Sequence, residues 1–226
     1  MRSAKADLKA EIRIGTVDYS VDVSKIPYLA SFVQLQQAAS LETTELVHEP
    51  IPLFDVALKG VELGYRQCFR SLSTALHRYR TLFNTYSFLK IDILGGMSME
   101  KIIANLKVGR ADYDPEERRQ IRGNKSLARD TAFQLLHLIL YAQLEDDKKD
   151  SMKLFNAVVF VVSHPGTFKY RTKRVIRAAY EDRFSPTTKQ VMVLNKWEKG
   201  DVGKDATDAT TEEEPEYYYD SDDYSF

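Results

Sequence analysis

The chain has 226 residues, of which 43% are hydrophobic and 29% charged, and its formal net charge is −1. This length and apolar content suit one domain, or a small domain with a helical extension, and can bury a core without covalent staples. The single cysteine, Cys68, excludes an intrachain disulfide, and no apolar run resembles a signal peptide or approaches the roughly 20 residues of a membrane span, so we expect a cytoplasmic or nuclear protein.

The first elements are predicted by period-two alternation. Residues 1–10 are polar, and we expect a flexible arm there. Residues 11–15 and 18–23 alternate apolar and polar side chains around Gly15, which predicts a β-hairpin with one buried face. Residues 24–39 then predict a helix with Pro27 near its start, and residues 41–52 a loop or edge strand.

From Leu53 the apolar period becomes helical. The apolar stripe of this helix consists of Phe54, Leu58, Val61, Tyr65, Cys68 or Phe69, and Leu72. Gly60 and Gly64 interrupt it, each at a cost of roughly 1 kcal/mol relative to alanine. They indicate either the close approach of another backbone or a break between two shorter helices. A second helix is predicted over 74–94, ended by Gly95 and Gly96, and Ser98 caps a short third one.

The second half is predicted to be helical throughout. Residues 114–123 carry helix start and stop signals, with Asp114 as the cap, Pro115 next and Gly123 at the end. Residues 126–144 form the most apolar segment and are expected to be a central helix. Residues 151–166 suit a strand or a buried helix, and Ser151 as a cap favours the helix. Two further helices are predicted over the segments 167–185 and 185–198.

No constellation of residues indicates catalysis or a cofactor. The histidines are far apart in the sequence, and none has metal-ligand spacing to another histidine or to Cys68. His137 is expected to be a hydrogen-bonded core residue, and Ser163 and His164 point apart on a helix. Phosphate-binding and dinucleotide-binding glycine motifs are absent from the sequence. We therefore expect a protein that is not an enzyme, and an enzyme of unrecognised type is the minor alternative.

One predicted helix, 168–183, is rich in basic residues. Its cations are Lys169, Arg171, Lys173, Arg174 and Arg177. They could form a contact face for the phosphates of a nucleic acid, with Phe168 and Tyr170 between them. The other interpretation is the solvated outer face of a packed helix.

The C-terminal segment 201–226 is strongly acidic. It contains ten acidic residues and one lysine, a charge of −9, so residues 1–200 carry +8. Val202 is its only large aliphatic residue, and we expect a disordered tail. Thr210 and Thr211 each precede a glutamate by three residues, a pattern typical of acidophilic kinase sites. The tail is either a solubilising segment, or a docking peptide or nucleic-acid mimic that shields the basic body.

The N-terminal half resembles a BTB/POZ domain. That family begins with a strand, a tight turn, a second strand carrying an aromatic residue, and a helix. In this sequence the two strands would be residues 11–15 and 19–23, the turn 16–18, and the helix would begin with 24–32. Residues 46–53 could supply its edge strand, and residues 54–69 and 79–94 its following helices. The family's acidic residue before the first strand and its Tyr-Thr-Gly turn are missing, and residues 53–72 predict a longer helix than the family has.

The resemblance implies protein–protein interaction, because BTB/POZ domains dimerise through the first strand and helix and many bridge a cullin ubiquitin ligase to a substrate. We expect an α+β fold with a BTB/POZ-like domain over 11–108 and a helical region over 109–200. Its function is expected to be that of an adaptor that self-associates through an unpaired hairpin edge. The residues of that edge would be Ile12, Ile14, Tyr19 and Val21. The alternative is a nucleic-acid-associated regulatory protein whose basic helix is shielded by the acidic tail.

Overall fold

The computed structural model describes residues 9–39, 45–109, 112–114, 119–121, 123–144, 147–164 and 166–201. Its fold is mixed α+β, as expected, with a small sheet at the start of the chain and helices after it. No helix in the described part combines the length and the apolarity that a membrane crossing requires.

The predicted hairpin is confirmed and is joined by a third strand. Strands β1 (Lys9–Ile14) and β2 (Val17–Asp22) pair antiparallel around Gly15, whose φ of +62° suits glycine. The segment expected to be a loop or edge strand contains β3 (Val47–His48), which pairs parallel with β1. The strand order is β2–β1–β3, so β1 is central.

The first helix lies at the edge of the core. A 3-10 turn over Val23–Lys25 precedes α1 (Pro27–Ala39), and Pro27 is its first residue, where a missing N–H matters least. Only Leu29 and Val33 of α1 are buried. Most of the surface of α1 therefore lies outside the core.

The two glycines of the next segment have different roles. The chain breaks at Gly64 into α2 (Phe54–Leu63) and α3 (Arg66–Ser71), and Gly64 has φ and ψ of 94° and 150°. Gly60 lies inside α2, where a Cβ would collide with the Tyr86 hydroxyl and approach the Cys68 Sγ atom within 2.9 Å. The break between two shorter helices is confirmed at Gly64, whereas the close neighbours of Gly60 are side chains and not another backbone.

Two more helices complete the first half. Helix α4 (Leu76–Phe88) ends seven residues before Gly95, and Lys90 just beyond it has a φ of +56°. The prediction that Gly95 and Gly96 end it is wrong, because the chain already turns at Lys90. Helix α5 (Met99–Lys107) begins as predicted, since the Ser98 side chain accepts a hydrogen bond from the Lys101 N–H at 3.4 Å.

The described residues 112–114 and 119–121 do not belong to a helix, so the helix predicted over 114–123 is wrong. They contain β4 (Asp112–Asp114) and β5 (Arg119–Ile121), which pair antiparallel. Asp-Pro signals turns as well as helix starts. Ile121 is the only large aliphatic residue between Asp114 and Gly123, so a helix there would have no apolar stripe to bury.

The remaining helices are α6 (Lys125–Tyr141), α7 (Asp147–Ser163), α8 (Tyr170–Phe184) and α9 (Thr188–Asp201). The segment that suited a strand or a helix is helical, but it begins at Asp147, so Ser151 lies inside it and is not a cap. Before α9, the Thr187 hydroxyl accepts from the Gln190 N–H at 3.3 Å while the Gln190 side chain accepts from the Thr187 N–H at 2.9 Å. This reciprocal cap explains where α9 begins.

A single cluster of buried hydrophobic residues extends from Ile12 in β1 to Leu194 in α9. Its centre is Phe133 of α6, whose ring contacts aromatic rings of α3 and α4 and the ring of Tyr65. Asp130 adds a polar link, accepting from the Arg66 backbone N–H at 2.7 Å and from its guanidinium at 3.2 Å. The core is therefore continuous across the boundary that the sequence places at residues 108 and 109.

Candidate interaction site

Four side chains from three elements form an aromatic patch at the surface, defined here as Tyr28, Phe32, His48 and Phe88. The ring centroids of Tyr28 and Phe88 lie 4.5 Å apart, and the His48 ring lies 5.5 Å from Tyr28 and 5.2 Å from Phe32. These are ordinary separations for aromatic pairs in contact.

Helix α1, strand β3 and the end of α4 position the patch. Tyr28 and Phe32 are one turn apart on α1 and therefore share a face. The Tyr28 N–H donates to the Leu89 carbonyl at 3.3 Å, which ties the start of α1 to the end of α4. His48 is held beside them because β3 pairs with β1 at Ile14.

Both nitrogens of the His48 ring form hydrogen bonds within the protein. Its Nδ1 lies 2.6 Å from the Glu49 carbonyl oxygen, which only accepts, so Nδ1 carries a proton. In the neutral ring Nε2 then accepts from the Tyr28 hydroxyl at 2.8 Å. Both nitrogens are engaged within the protein, so the patch offers other molecules mainly apolar and aromatic surface.

Part of this surface is open to solvent. The Phe88 residue is 46% exposed, and Leu35, one turn after Phe32 on the same face of α1, is 71% exposed. Large apolar side chains that cluster at a surface mark contact sites more often than isolated ones do. The aromatic patch and Leu35 are therefore the candidate site for a protein partner.

The residues predicted to form a self-association edge lie elsewhere. Ile12, Ile14 and Val21 are buried in the core, and Tyr19 packs against Phe54 with ring centroids 4.9 Å apart. Strand β1 is not an edge, because the Arg13 N–H donates to the Leu46 carbonyl at 2.8 Å across the β1–β3 pair. In the described sheet the outer strands are β2 and β3, so of the predicted edge residues only Tyr19 and Val21 lie on an outer strand.

The five cations predicted to form a basic face on α8 differ in their exposure to solvent. Lys169, Arg171 and Arg174 are exposed, whereas Lys173 is only 8% exposed. The Arg177 guanidinium pairs with Glu181 at 2.8 Å and donates to the Asn195 side chain at 2.7 Å. Helix α8 packs on several neighbours, so its cations do not all share one free side, and the five-residue face is reduced to three exposed residues.

The side chains considered for catalysis are in apolar surroundings. Burial raises the pKa of the Cys68 thiol to about 12, so it stays protonated at neutral pH, and its Sγ lies 3.4 Å from the Tyr86 hydroxyl. The Ser163 hydroxyl donates to the Phe160 carbonyl at 3.3 Å and not to His164. Within the described ranges no three His, Cys, Asp or Glu side chains form a group that could hold a metal ion.

His137 is half-buried, and its Nδ1 lacks the hydrogen bond expected of a core histidine. Its ring lies 5.1 Å from that of Phe83 and 5.4 Å from that of Tyr141. Its Nδ1 is buried and has no hydrogen-bond partner among the described residues. Burial lowers the pKa of its imidazole, so the ring is neutral at physiological pH.

Thr210 and Thr211, the predicted phosphorylation sites, and almost all of the acidic tail lie outside the described residues; Asp201 alone belongs to α9. Comparisons with family models, curated proteins and solved structures found no match to this chain. Function is therefore inferred from the surfaces of the molecule itself.

The sequence signal for the patch is the Tyr28–Phe32 pair at helical spacing, but its partners His48 and Phe88 come from distant positions.

Proposed function

We propose that the chain is a non-catalytic protein–protein interaction module that self-associates through the aromatic patch and the outer face of α1. The observation that carries this proposal is the exposure of Phe88 and Leu35 beside a ring cluster whose polar atoms are bonded internally. Contact with another apolar surface removes this apolar area from water, which is favourable. Few polar groups lose their hydration in the process.

A twofold arrangement suits this surface. In a symmetric dimer the same patch of both copies forms the interface. Each exposed side chain of the patch is therefore buried in both copies. Full burial of a large apolar side chain contributes roughly 1.5–3 kcal/mol, and the association itself costs about 4–15 kcal/mol. Because few side chains contribute, we expect a reversible dimer of micromolar affinity.

The order of elements supports a BTB/POZ-like N-terminal half. A hairpin, a helix, an edge strand and further helices follow one another as in that family. If the likeness extends to function, the module is an adaptor that works in the cytoplasm or nucleus, and a cullin scaffold is one possible partner class. The self-association proposal does not depend on that partner.

Light scattering across a hundredfold range of micromolar concentrations tests the proposal, since mass action shifts a reversible dimer over such a range. The variant Leu35→Lys places a charge on the outer face of α1 and is expected to leave a monomer. Met192→Lys is the matched control, because Met192 on α9 is 66% exposed and lies outside the patch. A wild-type chain that stays monomeric throughout, or equal loss of dimer in both variants, contradicts the proposal.

The alternative of a nucleic-acid-associated protein has weaker support. Of the five cations predicted for a contact face, Lys173 is buried and Arg177 is held by Glu181 and Asn195. Non-specific binding to nucleic acid depends on the number of phosphates that are neutralised. Three exposed cations on α8 give a small footprint for such binding.

A further inference from the structure

Three exposed cations at the start of α8, the N-cap residue Lys169 with Arg171 and Arg174, form what we term the α8 cation cluster. Arg171 donates to the Arg70 carbonyl at 3.3 Å, which holds its guanidinium over the end of α3. Neither Lys169 nor Arg174 forms an ion pair with a side chain that the structure describes. Tyr170, 38% exposed and one turn before Arg174, adds an aromatic ring to this surface.

Two other arginines, one on α8 and one paired with it, are neutralised. Arg177 pairs with Glu181 at 2.8 Å, and Arg80 of α4 pairs with Asp182 at 2.7 Å. The α8 cation cluster is thus a local surplus of positive charge at the start of a helix whose acidic residues, Glu181 and Asp182, are already paired. Such a surplus attracts an anionic ligand of matching extent.

The chain itself contains a segment of opposite charge. Residues 212–224 hold four glutamates, three aspartates, four tyrosines and no lysine or arginine. Carboxylates interleaved with tyrosines complement a surface on which arginines and a tyrosine alternate, because tyrosine rings stack on guanidinium groups and on other rings.

The connection is long enough for this segment to reach the cluster. The bond between Arg177 and Asn195 places α9 beside α8, six residues before Asp201. The path from Asp201 to Asn195, across to Arg177 and on to Arg171 is about 30 Å, from the 1.5 Å rise of each helical residue and a helix separation of about 10 Å. The eleven residues from Asp201 to Glu212 span up to about 36 Å when extended.

We propose that residues 212–224 bind in cis to the α8 cation cluster, so that the C-terminal segment occupies the one basic surface of α8. The contact is electrostatic and lies apart from the aromatic patch. Its failure would leave the proposed self-association untouched. An anionic partner directed at α8 would have to displace the segment.

Carbodiimide cross-linking of the full-length chain, with mass-spectrometric identification of linked peptides, tests the contact. The reagent joins a carboxylate to a lysine amine only where the two meet, so links from residues 212–223 to Lys169 are expected. Arg171→Glu with Arg174→Glu should lower these links about fivefold, the effect of losing two exposed ion pairs. Lys59→Glu with Lys107→Glu changes the net charge equally on other helices and should leave them unchanged.

Two conditions separate the cis contact from other sources of links. An equal mixture of ¹⁵N-labelled and unlabelled chains should give same-isotope links to Lys169, and mixed-isotope links would instead show binding between copies. Raising the salt to about 0.5 M should suppress the links, because charges at the surface are then screened beyond a few ångströms. Links to Lys169 that persist undiminished in the Arg171→Glu, Arg174→Glu variant or in high salt overturn the proposal, as does their absence from the wild-type chain.

Discussion

Gly64 has a backbone conformation, φ 94° and ψ 150°, that side-chain-bearing residues rarely adopt. A Cβ at this position would also lie 2.8 Å from both carboxylate oxygens of Asp130. We predict that Gly64→Ala lowers the free energy of unfolding by more than about 2 kcal/mol, through backbone strain and displacement of the Asp130 carboxylate from Arg66. Urea denaturation measures the loss.

The matched control for this substitution is Gly96→Ala. Gly96 also has a positive φ, +69°, but a Cβ there would meet no atom within 4 Å. Its loss should be about 1 kcal/mol, the conformational cost alone. Equal losses in the two variants would show that contact with Asp130 adds nothing to the requirement for glycine at position 64.

The half-buried imidazole of His137 should make stability depend on pH. Burial lowers its pKa, with Asp92 acting in the opposite direction, whereas in the unfolded chain a histidine titrates near 6.5. Between the lowered folded pKa and about pH 6.5 the unfolded state binds more protons, so the free energy of unfolding falls as the pH is lowered through this window. The contribution is fully present above about pH 6.5.

We predict that His137→Leu removes part of this fall. Urea denaturation at about pH 7.5 and about pH 5.5 should give a smaller difference in unfolding free energy for the variant than for the wild type. His77→Leu is the control, since His77 is exposed on α4 and should leave the difference unchanged. A full wild-type difference in His137→Leu would assign the pH dependence to other groups.

Among the elements, the end of α6 is held by a side chain from α8. The Arg183 guanidinium donates to the carbonyls of Leu138, Ile139 and Ala142 at 3.2, 2.7 and 2.6 Å. A helix leaves its last carbonyls without intrahelical partners, and a cation there also interacts favourably with the helix dipole. Arg183 therefore joins α6 to α8 by capping one helix from the other.

We predict that Arg183→Met, which keeps much of the side-chain volume, lowers the free energy of unfolding by about 2–3 kcal/mol through loss of these charged hydrogen bonds. Arg78→Met, at an exposed position of α4, should change it by less than about 0.5 kcal/mol. Thermal or urea unfolding compares the two. Similar small effects in both variants would mean that water replaces the guanidinium at the end of α6 without loss.

Elements with local signals could be predicted from the sequence. The hairpin, the start of α1 at Pro27 and the Ser98 cap depend on residues a few positions apart. The pairing of β4 with β5 could not, because the Asp-Pro signal at 114 and 115 is shared by helices and turns. The position of β1 at the centre of the sheet follows from pairing with β3, more than 30 residues later, which no local pattern encodes.

The candidate site was less predictable than the elements that carry it. Tyr28 and Phe32 are visible as a pair on a helix, but His48 and Phe88 join them only after β3 docks on β1 and α4 ends beside α1. The basic helix was visible as a charge pattern. Which of its cations remain exposed depends on how the helix packs. Lys173 is buried, and Arg177 forms an ion pair with Glu181.

At the scale of the whole molecule, the core is one continuous body centred on Phe133. This ring is fully buried and stacks on Tyr65 at 5.2 Å, with Phe83 at 4.9 Å and Phe69 at 5.8 Å. Three of its contacts thus come from the half that the sequence assigns to a separate domain. If the halves depend on each other, loss of this one side chain should weaken both of them together.

We predict that Phe133→Ala lowers the free energy of unfolding by about 3–5 kcal/mol, the usual cost of removing a buried phenylalanine, and that the chain still unfolds in one transition. Hydrogen exchange measures this separately for amides of α2–α4 and of α6–α8, and protection should fall by the same free energy in both groups. Phe88→Ala is the control, because Phe88 is 46% exposed and should cost far less. Loss of protection confined to α6–α8, with α2–α4 unchanged, would show instead that the N-terminal half is stable on its own and that the boundary near residue 108 separates two domains.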